Sequence, residues 1–100
     1  MNGFVEGMMV AMMPYTEYLN PNNIKVRQFS QDVDNEELIW HRDKKDRVFK
    51  VISGVDWKFQ HDNELPFVMK IGDKVKVKKE EFHRIHKGLG KLIIEIEEND

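Results

Sequence analysis

The chain has no cysteine, and this absence removes disulfide staples, thiolate nucleophiles, iron–sulfur clusters and Cys-type zinc sites together. Any metal must rest on histidine and carboxylate. Proline (3) and glycine (6) are too scarce for a low-complexity or collagen-like chain. Neither sign of charge dominates: Lys+Arg 16 against Asp+Glu 18 leaves −2, so no global positive field draws the protein to nucleic acid or to an anionic membrane. Long apolar runs are missing too. The stretch Met8-Met9-Val10-Ala11-Met12-Met13 is far short of the roughly twenty residues that span a bilayer. No basic residue precedes it, and Pro14-Tyr15-Thr16 is no small-residue cleavage site, so no secretory signal is expected and a cytoplasmic location follows.

What is present is ordinary globular material: 100 residues, 40% hydrophobic and 34% charged, enough for one core and not two. Residues 1–23 differ from the rest. All the methionines but Met69 fall in 1–13, and Phe4, Met8, Ala11 and Met12 recur at helical spacing. A short N-terminal helix or arm is predicted there, closed by Pro21-Asn22-Asn23, with the main domain over 24–98.

From Ile24 the period changes to two. Trp57 and Phe59 alternate with Lys58 and Gln60, Val75 and Val77 with lysines, and Leu92, Ile94 and Ile96 with Lys91, Glu95 and Glu97. Strands are predicted over 24–29, 37–43, 46–53, 55–61, 65–71, 74–78, 82–87 and 91–97. Turn residues such as Ser53-Gly54, Asp62-Asn63 and Gly72-Asp73 separate most of them. With no helical pattern between strands, the main domain reads as all-β, a sandwich or barrel. Lys74, Lys76 and Lys78 read as a solvated fringe that discourages edge pairing. Two apparent motifs are accidental. His41-Arg42-Asp43 has Val48 where a kinase catalytic loop needs Asn, and Gly88-Leu89-Gly90 has Ile93 where a dinucleotide fingerprint needs its third Gly.

Two stretches carry more information. In residues 41–54, His41-x-Asp43 is followed by Arg47 and closed by Gly54; in residues 72–83, Gly72 is followed eleven positions later by His83. The first resembles the opening cupin motif, in which a strand with His-x-His turns into a strand with Glu and ends in Gly. The second resembles the closing motif, Gly-x5-Pro-x-Gly-x2-His, with Lys78 and Glu80 in place of its Pro and second Gly. The likeness covers about 37 to 97 and is greatest to the small single-domain cupins encoded by tailed bacteriophages. It implies a double-stranded β-helix, or jelly-roll barrel, and makes His41, Asp43 and His83 the candidate ligands for a divalent transition metal (Fe, Mn, Ni or Zn). The resemblance leaves the reaction open, since this fold serves hydrolysis, isomerisation and oxygenation alike.

Strand parity points the same way. Ile39, His41 and Asp43 share one face, as do Arg47, Phe49 and Val51, and His83 shares a face with Ile85. Two imidazoles and a carboxylate make a facial-triad donor set. Arg47 stands where metal-binding cupins carry a carboxylate, and a guanidinium cannot coordinate a cation. Three readings follow: a metal site; partly buried, hydrogen-bonded histidines with no metal; or a metal-free pocket in which Arg47, His41 and His83 bind a carboxylate or phosphate on a small ligand. Trp57 and Phe59 are candidates to line that pocket, though aromatics at strand period usually form core. His61 is a candidate fourth ligand or a capping histidine, and His86 is expected to be exposed. Trp40 has the opposite parity to His41. With Leu38 it suggests an outward apolar patch covered by a second copy, a homodimer. The rival function is a non-catalytic structural or interaction protein acting as that dimer.

Overall fold

The computed structural model describes residues 14–99; the predicted helix of residues 4–12 lies outside them. Among the described residues, eight antiparallel strands form two sheets. The larger has the order β1-β2-β8-β3-β6, from Tyr15–Leu19 (β1), Lys25–Phe29 (β2), Asp46–Val55 (β3), Lys74–Val77 (β6) and Leu89–Asn99 (β8). The smaller has the order β5-β4-β7, from Lys58–His61 (β4), Phe67–Val68 (β5) and His83–His86 (β7). The two sheets face each other, as a jelly roll requires. Among the described residues, no helix is long and apolar enough to cross a membrane.

The period-two pattern builds this directly. Phe49 and Val51 of β3, Val75 and Val77 of β6, and Leu92, Ile94 and Ile96 of β8 all turn inward and join Phe59 and Ile85 of the smaller sheet in one core. Trp57 and Phe59 are fully buried, and Phe49 meets Phe59 edge to face at 5.9 Å. β8 is the hub, pairing with β2 on one side and β3 on the other. The β3 ladder shifts register between Val51 and Val55, a bulge that bends the strand where it leaves the larger sheet. Gly72 adopts φ +93 in the turn before β6, with its N–H on the Val51 carbonyl, so the Gly that opens the second motif serves a left-handed turn.

Two segments differ from expectation. Residues 37–43 form no strand. Asp34 instead caps a 3-10 turn over Asn35–Glu37 through a reciprocal capping box: its side chain accepts from Glu36, and Glu37 reaches back to the Asp34 N–H. The turn shifts the parity, so Leu38 is buried at 5% and Ile39 is exposed at 65%. Leu38 therefore belongs to the core and not to an outward patch. Local side-chain bonds to the backbone have displaced the ladder here. In the predicted arm, β1 pairs along its whole length with β2, so the sheet begins at Tyr15, ahead of Ile24. Four of its five residues are exposed. An edge strand with almost no buried face leaves no alternating signal to read.

A candidate metal centre in the barrel cavity

One backbone bridge assembles the site. The N–H of His41 donates to the His83 carbonyl at 3.0 Å, and the His83 N–H returns to the His41 carbonyl at 2.9 Å. Residues paired in this way project their side chains to the same face, and the two imidazoles lie 4.3 Å apart, edge to face. Asp43, two residues on, is fixed by its own carbonyl, which accepts the Glu80 N–H at 2.7 Å. The donor atoms of His41, Asp43 and His83 all fall within 4.8 Å of one another. They border a cavity of about 390 Å³ whose walls include Phe29, Leu38, Phe49, Ile85 and Ile94.

Each imidazole is oriented from behind. The Nδ1–H of His83 donates to the Glu81 carbonyl at 2.8 Å, and that of His41 to the Ile39 carbonyl at 3.1 Å. In the neutral ring this leaves Nε2 as the lone-pair donor on the carboxylate side, the tautomer a metal ligand needs. Phe59 stacks on the His83 ring at 5.5 Å and 16°. His83 Nε2 stands 3.2 Å from Asp43 Oδ2, yet both atoms are buried without a hydrogen-bond partner. Two lone pairs facing each other at that range repel unless a cation or proton lies between them. Ligand atoms each about 2.1 Å from one ion stand about 3 Å apart at a right angle, so the His83–Asp43 spacing and the chemistry of the donor set fit a divalent metal, with His41 Nε2 farther off at 3.9 Å from Asp43 Oδ1.

Charge reinforces this. Burial lowers the His41 pKa below 6.5, with the charge of Arg27 adding to the lowering and the Ile39 carbonyl and Asp43 opposing it, so the neutral ring is favoured. Burial alone would raise Asp43, but a proton or cation shared with His83 and the charge of Arg47 outweigh it and keep the group ionised. Arg47 binds Asp43 Oδ1 through Nη1 at 3.1 Å and Glu98 Oε2 through Nε at 2.9 Å. Its guanidinium is thus engaged by two carboxylates and holds Asp43 at the cavity wall.

The structure brings together the three candidate ligands and places Arg47 beside them. Trp57 and Phe59 are not on the cavity wall: Trp57 donates its indole N–H to the Leu89 carbonyl, and Phe59 lies behind His83. These two are fully buried core residues, Trp57 packed against Phe29 at 5.9 Å and Phe59 against His83. His61 pairs with Glu81 at 3.1 Å, outside the group, and His86 is half-buried against Gln60 at 2.8 Å. Arg27, which lines the cavity on β2, escaped the sequence reading. Its parity with Phe29 was the available signal.

No protein-family model matches the sequence, and no curated protein matches it. Solved structures do. A cupin-2 domain containing protein from Shewanella frigidimarina aligns with a TM-score of 0.59 at 17% identity, over 96% of this chain and 92% of that one. A cupin domain from Bordetella pertussis aligns at 0.54 and 16%, over 86% and 92%. The DMSP lyase DddQ from Ruegeria pomeroyi aligns at 0.66 and 9%; the alignment covers 87% of this chain and 47% of that lyase. At these identities the likeness shows the fold, and the fold is that of the cupins.

Proposed function

We propose that the chain binds a divalent transition metal (Fe, Mn, Ni or Zn) through His41 Nε2, His83 Nε2 and the Asp43 carboxylate, and that a small molecule enters the cavity beside it. The observation that carries this reading is the buried, unpartnered pair His83 Nε2 and Asp43 Oδ2, 3.2 Å apart. An ion in that place supplies Lewis-acid polarisation of a ligand oxygen. The protein's own part is to hold the ligands ready: Glu81 and Ile39 fix the tautomers, Phe59 fixes one ring plane, Arg47 fixes the carboxylate, and apolar walls limit water.

The test is metal titration of chelator-stripped protein, read by calorimetry and by melting temperature. One equivalent should bind and raise the melting temperature of the parent, and His83→Ala and Asp43→Asn should abolish both effects. A parent protein that binds none of the four metals ends the reading. For the outer surface, we propose a homodimer that covers the adjacent exposed residues Ile39 and Trp40. Light scattering during size-exclusion chromatography should show twice the chain mass, reverting to one for Trp40→Ala; a monomeric parent refutes this.

A further inference from the structure

We propose that Arg27 is the anion receptor of the cavity and that the ligand it takes is a small monocarboxylate with an apolar body. This rests on the cavity being a ligand site, as in the preceding reading, but not on the metal. β2 pairs Arg27 with Ile94, whose side chain is fully inward, and Arg27 shares the parity of Phe29, so the guanidinium points into the barrel. The residue is only 8% exposed. A guanidinium in such a place is costly unless it is held by charge.

It is held, but on one edge alone. Glu17, directly across the β1–β2 ladder, receives both Nε at 2.7 Å and Nη2 at 2.6 Å on the same oxygen, Oε2. Tyr15 lies under the guanidinium plane, 3.9 Å from its carbon to the ring centroid. The contacts with Glu17 and Tyr15 use Nε, Nη2 and the face of the guanidinium and leave Nη1 outside them. The group is therefore fixed in edge and plane, with one donor edge unspent on a residue that lines the cavity. A carboxylate is the natural complement of that edge. Of the other charged groups on the wall, Glu37 is engaged in its capping box, Asp43 is held by Arg47, and the charge of Arg47 is met by two carboxylates, Asp43 and Glu98, whereas that of Arg27 is met by one. Arg27 already shares its charge with Glu17. One further negative charge suits it, whereas a phosphate dianion between aliphatic walls does not.

The experiment uses chelator-stripped full-length protein and calorimetry with hexanoate, its neutral analogue hexanamide, and inorganic phosphate. Hexanoate should bind one to one, at least about tenfold more tightly than hexanamide. Arg27→Gln should lower hexanoate affinity to that of the amide, Arg27→Lys should restore part of it, and phosphate should not displace hexanoate. Equal affinity for acid and amide, absence of hexanoate binding, or unchanged binding in Arg27→Gln overturns the proposal; displacement by phosphate overturns the carboxylate class. If Arg27→Gln fails to fold by circular dichroism, the acid-to-amide ratio on the unaltered protein decides. The chelator keeps the result separate from the metal titration, so either idea can fail without the other.

Discussion

Arg47 is the residue on which the metal chemistry turns. Its charge lies 3.1 Å from Oδ1 of Asp43, the carboxylate whose other oxygen faces His83, and a positive charge at that range opposes metal binding even inside a polarisable protein. Arg47→Gln is therefore expected to tighten divalent-metal affinity by about tenfold, measured by competition with a chromogenic chelator; weaker binding would mean that orienting Asp43 matters more than the charge. A second residue-scale effect concerns Glu80, which stands where the motif carries glycine and keeps the glycine's conformation, φ 64. Left-handed backbone costs a side-chain-bearing residue about 1 kcal/mol, and the exposed Arg42–Glu80 pair at 3.4 Å returns little. Glu80→Gly should stabilise the protein by about 0.5–1 kcal/mol in urea unfolding, and a loss of stability would contradict it.

At the scale of elements, the link between β7 and β8 passes hard against the β3–β4 turn. A Cβ on Gly88 would come within 2.3 Å of the Trp57 N and the Val55 O, both backbone atoms that cannot swing aside. Gly88→Ala should cost about 1–3 kcal/mol or more, seen as a lower urea midpoint with an unchanged slope; a neutral result would mean that the two turns separate easily. Legibility also varied by element. β3, β6 and β8 announced themselves because each has one buried and one wet face, which is the condition for a period of two. β1 lacks a buried face, and residues 37–43 were overruled by the Asp34–Glu37 capping box, a signature present in the sequence but hidden within a run that also suits a strand.

For the molecule as a whole, the titrating groups pull in one direction. Burial lowers His41 and His86 below 6.5, the latter helped by Arg84 and Lys58. Interaction with Lys25, which outweighs an opposing burial effect, and with Arg47 lowers Glu98, and Asp43 is lowered as well. A group whose pKa is depressed by folding is protonated first in the unfolded chain, so its contribution is complete above the unfolded value and is lost as pH falls through the folded one. Metal-free protein should thus lose stability in two stages, first below pH 6.5 from the histidines and again below about 4 from the carboxylates. Urea midpoints at pH 7.5, 5.5 and 3.5 should descend in that order, and His86→Gln should flatten the first step. A midpoint that rises between 7.5 and 5.5 would show that the imidazoles gain partners on folding.

The all-β architecture and the inward faces of the long strands were legible from residue order alone, because alternation is a local property; His41, Asp43 and His83 were picked out by their match to the two motifs and not by parity, since the segment carrying the first two is no strand. What surrounds those donors came from the packing of distant strands. Whether Arg47 is free or spent depends on Glu98, fifty-one residues away, and the inward guanidinium of Arg27 depends on Glu17 across a strand pair that no alternation revealed. Electrostatic partnership is settled by distance in space, and spacing along the chain does not encode it.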